Sequence, residues 1–173
     1  VRGTVAGDDI AEHIAALGCA VRRAGEDYQP PLPAEIGLVV DCADYVLPPR
    51  RYTPLMAADV PHLAVIAEYD GATVGPFVLP GRTPCLRCVY DGPPPPCTEP
   101  TCRAVGVLGP AVHVIAGLQA FEAIKLLSGH PDALRATLLR MDLWTNDIRQ
   151  LDLAAPLADC PCCRRRRFDF LEG

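Results

Sequence analysis

Lysine is nearly absent: Lys125 stands alone among 173 residues, and neither G-x-G-x-x-G nor G-x-x-x-x-G-K-[ST] occurs. Both standard phosphate-cradling loops are therefore missing from the chain. Ala6-Gly7-Asp8-Asp9, ahead of an expected helix, is the nearest approach, but it puts two acids where a phosphate turn has glycines. Aromatic residues make up 6% of the chain. Basic charge is also in deficit, with 16 Lys plus Arg against 21 Asp plus Glu and a net charge of −5, which argues against a nucleic-acid platform. The run Arg164 to Arg167 is local and does not reverse that balance. No apolar run approaches the roughly 20 residues of a membrane span, and the basic and apolar regions of a secretory signal are lacking. These absences lead to the expectation of a cytoplasmic protein with no nucleic-acid or membrane partner. Disorder is excluded as well, because half the residues are hydrophobic and 21% are charged, enough for one ordinary domain with a core.

Cysteine and proline are abundant, at nine and nineteen residues. Nine is odd. The cysteines fall as Cys85/Cys88, Cys160/Cys163 with Cys162 inside it, Cys97/Cys102, and the isolated Cys19 and Cys42. A chain this long with such spacing fits a small disulfide scaffold poorly, so metal binding or thiol chemistry is the better reading.

Along the chain, Gly3 to Ala6 reads as a short strand and Ile10 to Leu17 as a helix, with Asp8 and Asp9 at its cap. Cys19 to Arg22 is compatible with a second short strand. The segment from Ala24 to Gly37 holds three prolines and no periodicity, so it reads as a loop. Gly37 to Asp41 (GLVVD) is an apolar run ending in an acid, the pattern of a buried parallel strand whose carboxyl end faces a ligand crevice. A helix interrupted near Pro54 is expected over Tyr52 to Asp59, then strands over His62 to Tyr69 and Thr73 to Leu79. Val89 to Thr101 carries five prolines, four of them consecutive, which predicts an extended crossover.

The strongest helix spans Pro110 to Leu127, with proline in its first turn and Gly129 past its end. Gln119, Glu122 and Lys125 would form its polar side, and Val112, Ile115, Leu118, Phe121 and Ile124 a wide apolar one. Strands Ala136 to Asp142 and Asp147 to Leu153, joined by Leu-Trp-Thr-Asn, read as a hairpin. Together these elements predict an α/β fold: a Rossmann-related, mostly parallel sheet followed by an antiparallel hairpin.

Two CxxC pairs can each give two thiolates to one tetrahedral ion. With about 70 residues between them, that ion would pin the C-terminal tail to the body of the domain. Filling all four positions with protein leaves no room for water or substrate, so the ion would be structural zinc. Free or disulfide-bonded thiols are the alternative, and Cys162 would be a spare thiol beside the site. Cys102 lies a few residues before the long helix, whose N-terminal partial charge lowers a thiol pKa. An ordinary loop thiol, or a Cys97 to Cys102 disulfide, competes with that reading. Asp41 and Asp44 stand where α/β folds place ligand-binding acids able to hold Mg²⁺, although an acid after a strand is also a common helix cap. His113 reads as a core or interface histidine, and Trp144 as a packing residue in the hairpin turn.

From Val39 onward the chain resembles the adenylating-enzyme family of ThiF and MoeB, relatives of the ubiquitin-activating enzymes. The resemblance rests on elements in order: Asp41-Cys-Ala-Asp44, Arg51-Tyr52, GPFVLPGRTPCLRC from Gly75 to Cys88, CRAVGVLG from Cys102 to Gly109, GLQAFEAIKLLSG and Cys160-Pro-Cys-Cys163. It implies ATP- and Mg²⁺-dependent adenylation of the C-terminal Gly-Gly of a ubiquitin-like sulfur carrier protein, followed by sulfur transfer for thiamine or molybdopterin synthesis. A desulfurase or rhodanese sulfur donor and a homodimer follow from the same resemblance, with the Pro110 to Leu127 helix contributing to the dimer. By position, Asp44 matches the nucleotide-site acid that binds the metal, Cys102 the crossover-loop cysteine that forms the covalent intermediate, and Cys85, Cys88, Cys160 and Cys163 the zinc ligands.

The expected organisation is a single domain. Residues 1–37 form a reduced N-terminal βαβ part, and 38–173 the family-like core with a crossover at 89–109 and a zinc-bound tail. Only 40 residues precede Asp41, without the family's glycine-rich loop or the cations that grip phosphates. Thr53-Pro54-Leu55 follows Arg51-Tyr52 where the family carries an asparagine. Two further readings therefore stand beside the enzyme: an ATP-incompetent carrier-binding module, and a zinc-stapled dimerisation half. In the enzyme reading the nucleotide segment lies outside these 173 residues or comes from another chain.

Overall fold

The structure, a computed structural model, describes residues 5–24, 33–42, 54–67, 71–90, 106–134, 136–153 and 155–168. Helix α1 spans Val5–Ala15 and β1 Val39–Asp41; a helical turn at 54–57 follows, then β2 at His62–Ala67 and β3 at Gly71–Val78. The short α2 is Leu86–Val89 and the long α3 Gly109–Leu127; a 3-10 turn at Pro131–Ala133 leads to β4, Thr137–Asp142, and β5, Asp147–Asp152. The strands make one sheet in the order β1-β2-β3-β4-β5.

The α/β fold forms as expected, and among the described residues its strand pairing is mixed. Only β1 and β2 run parallel, with Val39 opposite His62 and Asp41 opposite Ala64; the other three pairs are antiparallel. Chain length explains two of them. Three residues separate β2 from β3 and four separate β4 from β5, whereas a parallel neighbour needs a crossover of about a dozen. The β3–β4 ladder depends on Gly71, where a Cβ atom would lie 1.9 Å from the Met141 carbonyl oxygen. The expected hairpin forms, with Asp142 opposite Asp147.

The N-terminal part differs more. Val5 and Ala6 are helical rather than extended, so Asp8 and Asp9 lie inside α1 instead of capping it or forming a phosphate turn. A carboxylate in the first turn is favoured there by the helix dipole. No strand forms over Cys19 to Arg22; Arg22 reaches Glu35 at 2.6 Å and Arg23 reaches Asp8 at 3.1 Å. Pro54 is the first described residue of the helical turn, and the Tyr52 and Thr53 part of the expected helix lies outside the described residues.

Helix α3 is rolled relative to its sequence pattern. Ala111, Val112, Ile115, Ala116, Gln119, Ala120 and Ala123 are buried, while Leu118 and Phe121 are exposed. Alanines decide this orientation, because their short side chains let α1 approach closely. Ile10 and Ile14 of α1 pack with Cys42, Ala116, Ala120 and Ala123, and Ala111 and Ile115 pack with Ala72, Val74 and Met141 of the sheet. By length and composition, α3 is long and apolar enough to cross a membrane, correcting the expectation that no such segment exists. Glu122 and Lys125 interrupt the run without lowering its average enough, and the helix spends its apolar side on α1 and the sheet.

A four-thiol candidate metal centre

The most specific pattern in the sequence, the two CxxC pairs, converges in the structure. Cys85 precedes α2, and Cys88 lies within it, so one helical turn aims two thiols the same way. The Cys88 N–H donates to the Cys85 carbonyl at 2.9 Å. On the other side, a turn over 161–165 brings Cys160 and Cys163 up, with the N–H groups of Arg164 and Arg165 donating to the Cys160 carbonyl. The Sγ–Sγ distances are 3.9 Å for Cys85–Cys88, 3.7 Å for Cys85–Cys160 and 3.5 Å for Cys88–Cys163. All four sulfurs lie within 4.8 Å of one another.

These spacings are too long for disulfides, whose sulfurs sit about 2 Å apart, and the four cysteines are free thiols. They match the edges, about 3.8 Å, of a tetrahedron of thiolates bound about 2.3 Å from a zinc-sized ion. The residues present therefore fit a closed four-sulfur metal site. Without a cation, most of these thiols stay protonated. Cys85 is pushed up from the ordinary thiol range by its hydrogen bond to Cys162, then by burial and by repulsion from Cys162 and Cys160. Burial raises Cys88 and Cys163 too. Cys160 is buried, which opposes ionisation, yet it is held low by the backbone N–H of Cys163 and by the thiols of Cys88 and Cys163. Several thiolates this close persist only with a positive ion among them.

Met56, Val78, Leu86 and Cys162 complete the buried cluster around the thiols, with Tyr90 and Phe168 against it. Cys162 is the spare thiol expected from the Cys-Pro-Cys-Cys run, buried beside the four. One residue that matters here had no sequence signal. Arg166, inside the arginine run, donates to Asp59 Oδ1 at 2.6 Å and to the Ala57 carbonyl at 3.0 Å.

Among the described residues, no other expected site residue is brought to the four thiols. Asp44, Cys97 and Cys102 lie outside the described residues. Asp41 ends β1, and the following Cys42 is buried, its thiol pushed up to about 12 by burial and by the Asp41 carboxylate. This makes Cys42 an inert thiol. Of the two alternatives for His113, core or interface, the core is excluded: it is exposed, and its Nδ1 pairs with the Asp9 carboxylate, joining α1 to α3. Trp144 is 76% exposed at the hairpin tip, so packing within this chain is not its role. His62 is the buried histidine: its Nδ1–H donates to the Val60 carbonyl at 2.9 Å. Burial drives its pKa down to about 4, opposed by that hydrogen bond.

An α/β domain with a parallel pair at one side of its sheet, a long buried helix and a four-thiol staple defines a narrow class. Residues 23–162 match the ThiF family profile, and the chain belongs to the ThiF family. It is 34% identical over 143 residues to the sulfur carrier protein ThiS adenylyltransferase of Bacillus subtilis, covering 79% of this chain and 40% of that protein. To the adenylyltransferase and sulfurtransferase MOCS3 of Sus scrofa it is 34% identical over 134 residues, covering 75% of this chain and 28% of the relative. The chain thus spans less than half the length of these curated relatives. Among solved structures, Escherichia coli MccB superposes with a TM-score of 0.60 at 20% identity over 74% of this chain and 39% of that one. A heterocyclase bound to substrate and cofactor superposes with a TM-score of 0.67 at 17% identity over 95% of this chain and 24% of that one. These two share the fold.

Proposed function

We propose that the chain is part of an adenylyltransferase that activates the C-terminal Gly-Gly of a ubiquitin-like sulfur carrier protein in the cytoplasm, for thiamine or molybdopterin sulfur transfer. Its relationship to the Bacillus subtilis ThiS adenylyltransferase carries this reading. In the reaction, the carrier's terminal carboxylate attacks the α-phosphorus of ATP and pyrophosphate leaves. The Cys102 thiolate then attacks the activated carbonyl carbon and AMP departs, leaving a thioester; alternatively the persulfide of a desulfurase or rhodanese expels AMP, and Cys102 attacks the acyl-bearing sulfur and releases the donor's thiolate, leaving an acyl-disulfide. Asp44 would hold the nucleotide's Mg²⁺. Cys85, Cys88, Cys160 and Cys163 would hold structural zinc, closing 38–173 into one unit with residues 1–37, and a homodimer would assemble on the α3 side.

Pyrophosphate exchange tests the reading. Incubated with ATP, Mg²⁺, labelled pyrophosphate and a Gly-Gly-terminated carrier, the protein is expected to form labelled ATP, while Cys102→Ala keeps exchange and loses the covalent carrier adduct. Carrier binding at micromolar strength with no exchange would replace this reading with the ATP-incompetent binding module.

A further inference from the structure

Two helical turns that are far apart in sequence meet tip to tip beside the four thiols. The turn at 54–57 ends through Asp59, which has φ of +54°. Its N–H donates to the Met56 carbonyl at 3.3 Å, and the next N–H, from Val60, donates to the Leu55 carbonyl at 2.9 Å. This is the glycine-type helix stop, made here with an aspartate. The thiol turn ends through Arg166, at φ +53°. Left-handed backbone disfavours both side chains, so each needs a compensating contact.

They supply it to each other. Arg166 Nη1 donates to Asp59 Oδ1 at 2.6 Å, Nη2 donates to the Ala57 carbonyl at 3.0 Å, and the guanidinium lies 5.3 Å from the centre of the Phe168 ring. The second bond satisfies one of the carbonyls that a helix C-terminus leaves open. Underneath, Met56 is 1% exposed and packs in the same cluster as Cys85, Cys160 and Cys162.

We propose that Arg166 is a latch: it couples the metal-held C-terminal turn to residues 54–60 and thereby makes the order of that turn depend on the metal. Only the metal arm of the test below rests on the reading of the four thiols. Arg166 is a positioning residue, acting through Asp59 and Ala57 rather than on any substrate.

Hydrogen exchange on the full, metal-loaded chain tests it, with metal content measured in parallel. Arg166→Ala is expected to speed exchange at the Ala58, Asp59 and Val60 amides about tenfold, the scale of losing charge-assisted hydrogen bonds. The β4–β5 amides and the metal content should stay unchanged. Asp59→Asn, which leaves the thiol turn's own sequence intact, should do the same and carries the test if Arg166→Ala fails to fold. Chelation of the unmodified protein should speed the same amides, and chelated Arg166→Ala should gain little more. Wild-type rates in both variants would overturn the latch. So would chelation and mutation effects that multiply as independent events. Failure of the unmodified chain to take up metal would overturn the metal dependence together with the reading of the four thiols, while the variants would still report on the contact of Arg166 with Asp59 and Ala57.

Discussion

The thiol staple and the α1–α3 helix pair are held together by opposite means. At the staple, four identical ligands at fixed spacing, Cys85/Cys88 and Cys160/Cys163, converge on one point. Between the helices, apart from the His113–Asp9 pair, contact is spread: Ile10 and Ile14 rest on the small side chains of Ala116, Ala120 and Ala123. The difference teaches that directional chemistry leaves a short, rigid signature in sequence, whereas close packing leaves only a tendency. It also predicts different failure modes, since a ligand set fails all at once and a packed face yields by degrees.

The largest effect should come from metal. Removing it with a chelator, or replacing Cys85 by Ser, is expected to cost several kcal/mol, because metal binding free energy at a structural site is folding free energy. Metal analysis together with chemical denaturation checks this; a chelated chain with an unchanged unfolding midpoint would show that the staple contributes nothing.

Overpacking the helix pair should cost less. Ala120 is 2% exposed against α1, and Ala120→Leu is expected to destabilise by about 1–3 kcal/mol as α1 is pushed away. The same substitution at Phe121, which is 63% exposed, should leave the unfolding midpoint nearly unchanged. Equal effects at the two positions would mean the roll of α3 is wrong.

The effect that vanishes at neutral pH is the response of His62, which pairs in the sheet with Val78 of the thiol cluster. Its pKa is lowered by burial from 6.5 to about 4, so the unfolded chain binds the extra proton first. Stability contributed by the neutral ring is therefore complete above about pH 6.5 and is lost as pH falls toward 4, at about 1.4 kcal/mol per pH unit at most. Unfolding measured from pH 7 to 4 should show this slope, and His62→Phe should flatten it. A slope identical in both proteins would exclude His62 as the source.

Legibility followed the same division. The strands at Val39–Asp41 and His62–Ala67, the hairpin and the long helix all show in the sequence through apolar runs, turn residues and helix stops. The four thiols show through spacing alone. The roll of α3 does not, because Gln119 looks like a surface residue and Phe121 like a core one until alanines are allowed to choose the contact face. Arg166 does not show either, being one arginine among four whose partners, Ala57 and Asp59, are more than a hundred residues away in sequence.

By itself, the sequence determined that the chain carries an α/β domain, where its main strands and long helix lie, and which cysteines can share an ion, because local propensity and ligand spacing act over a few residues. The tertiary structure alone decided that three of the four strand pairs are antiparallel, which face of α3 is buried, and that Arg166 closes on the 54–60 turn. Those outcomes depend on which surfaces fit closely once distant segments meet, a quantity no local pattern encodes.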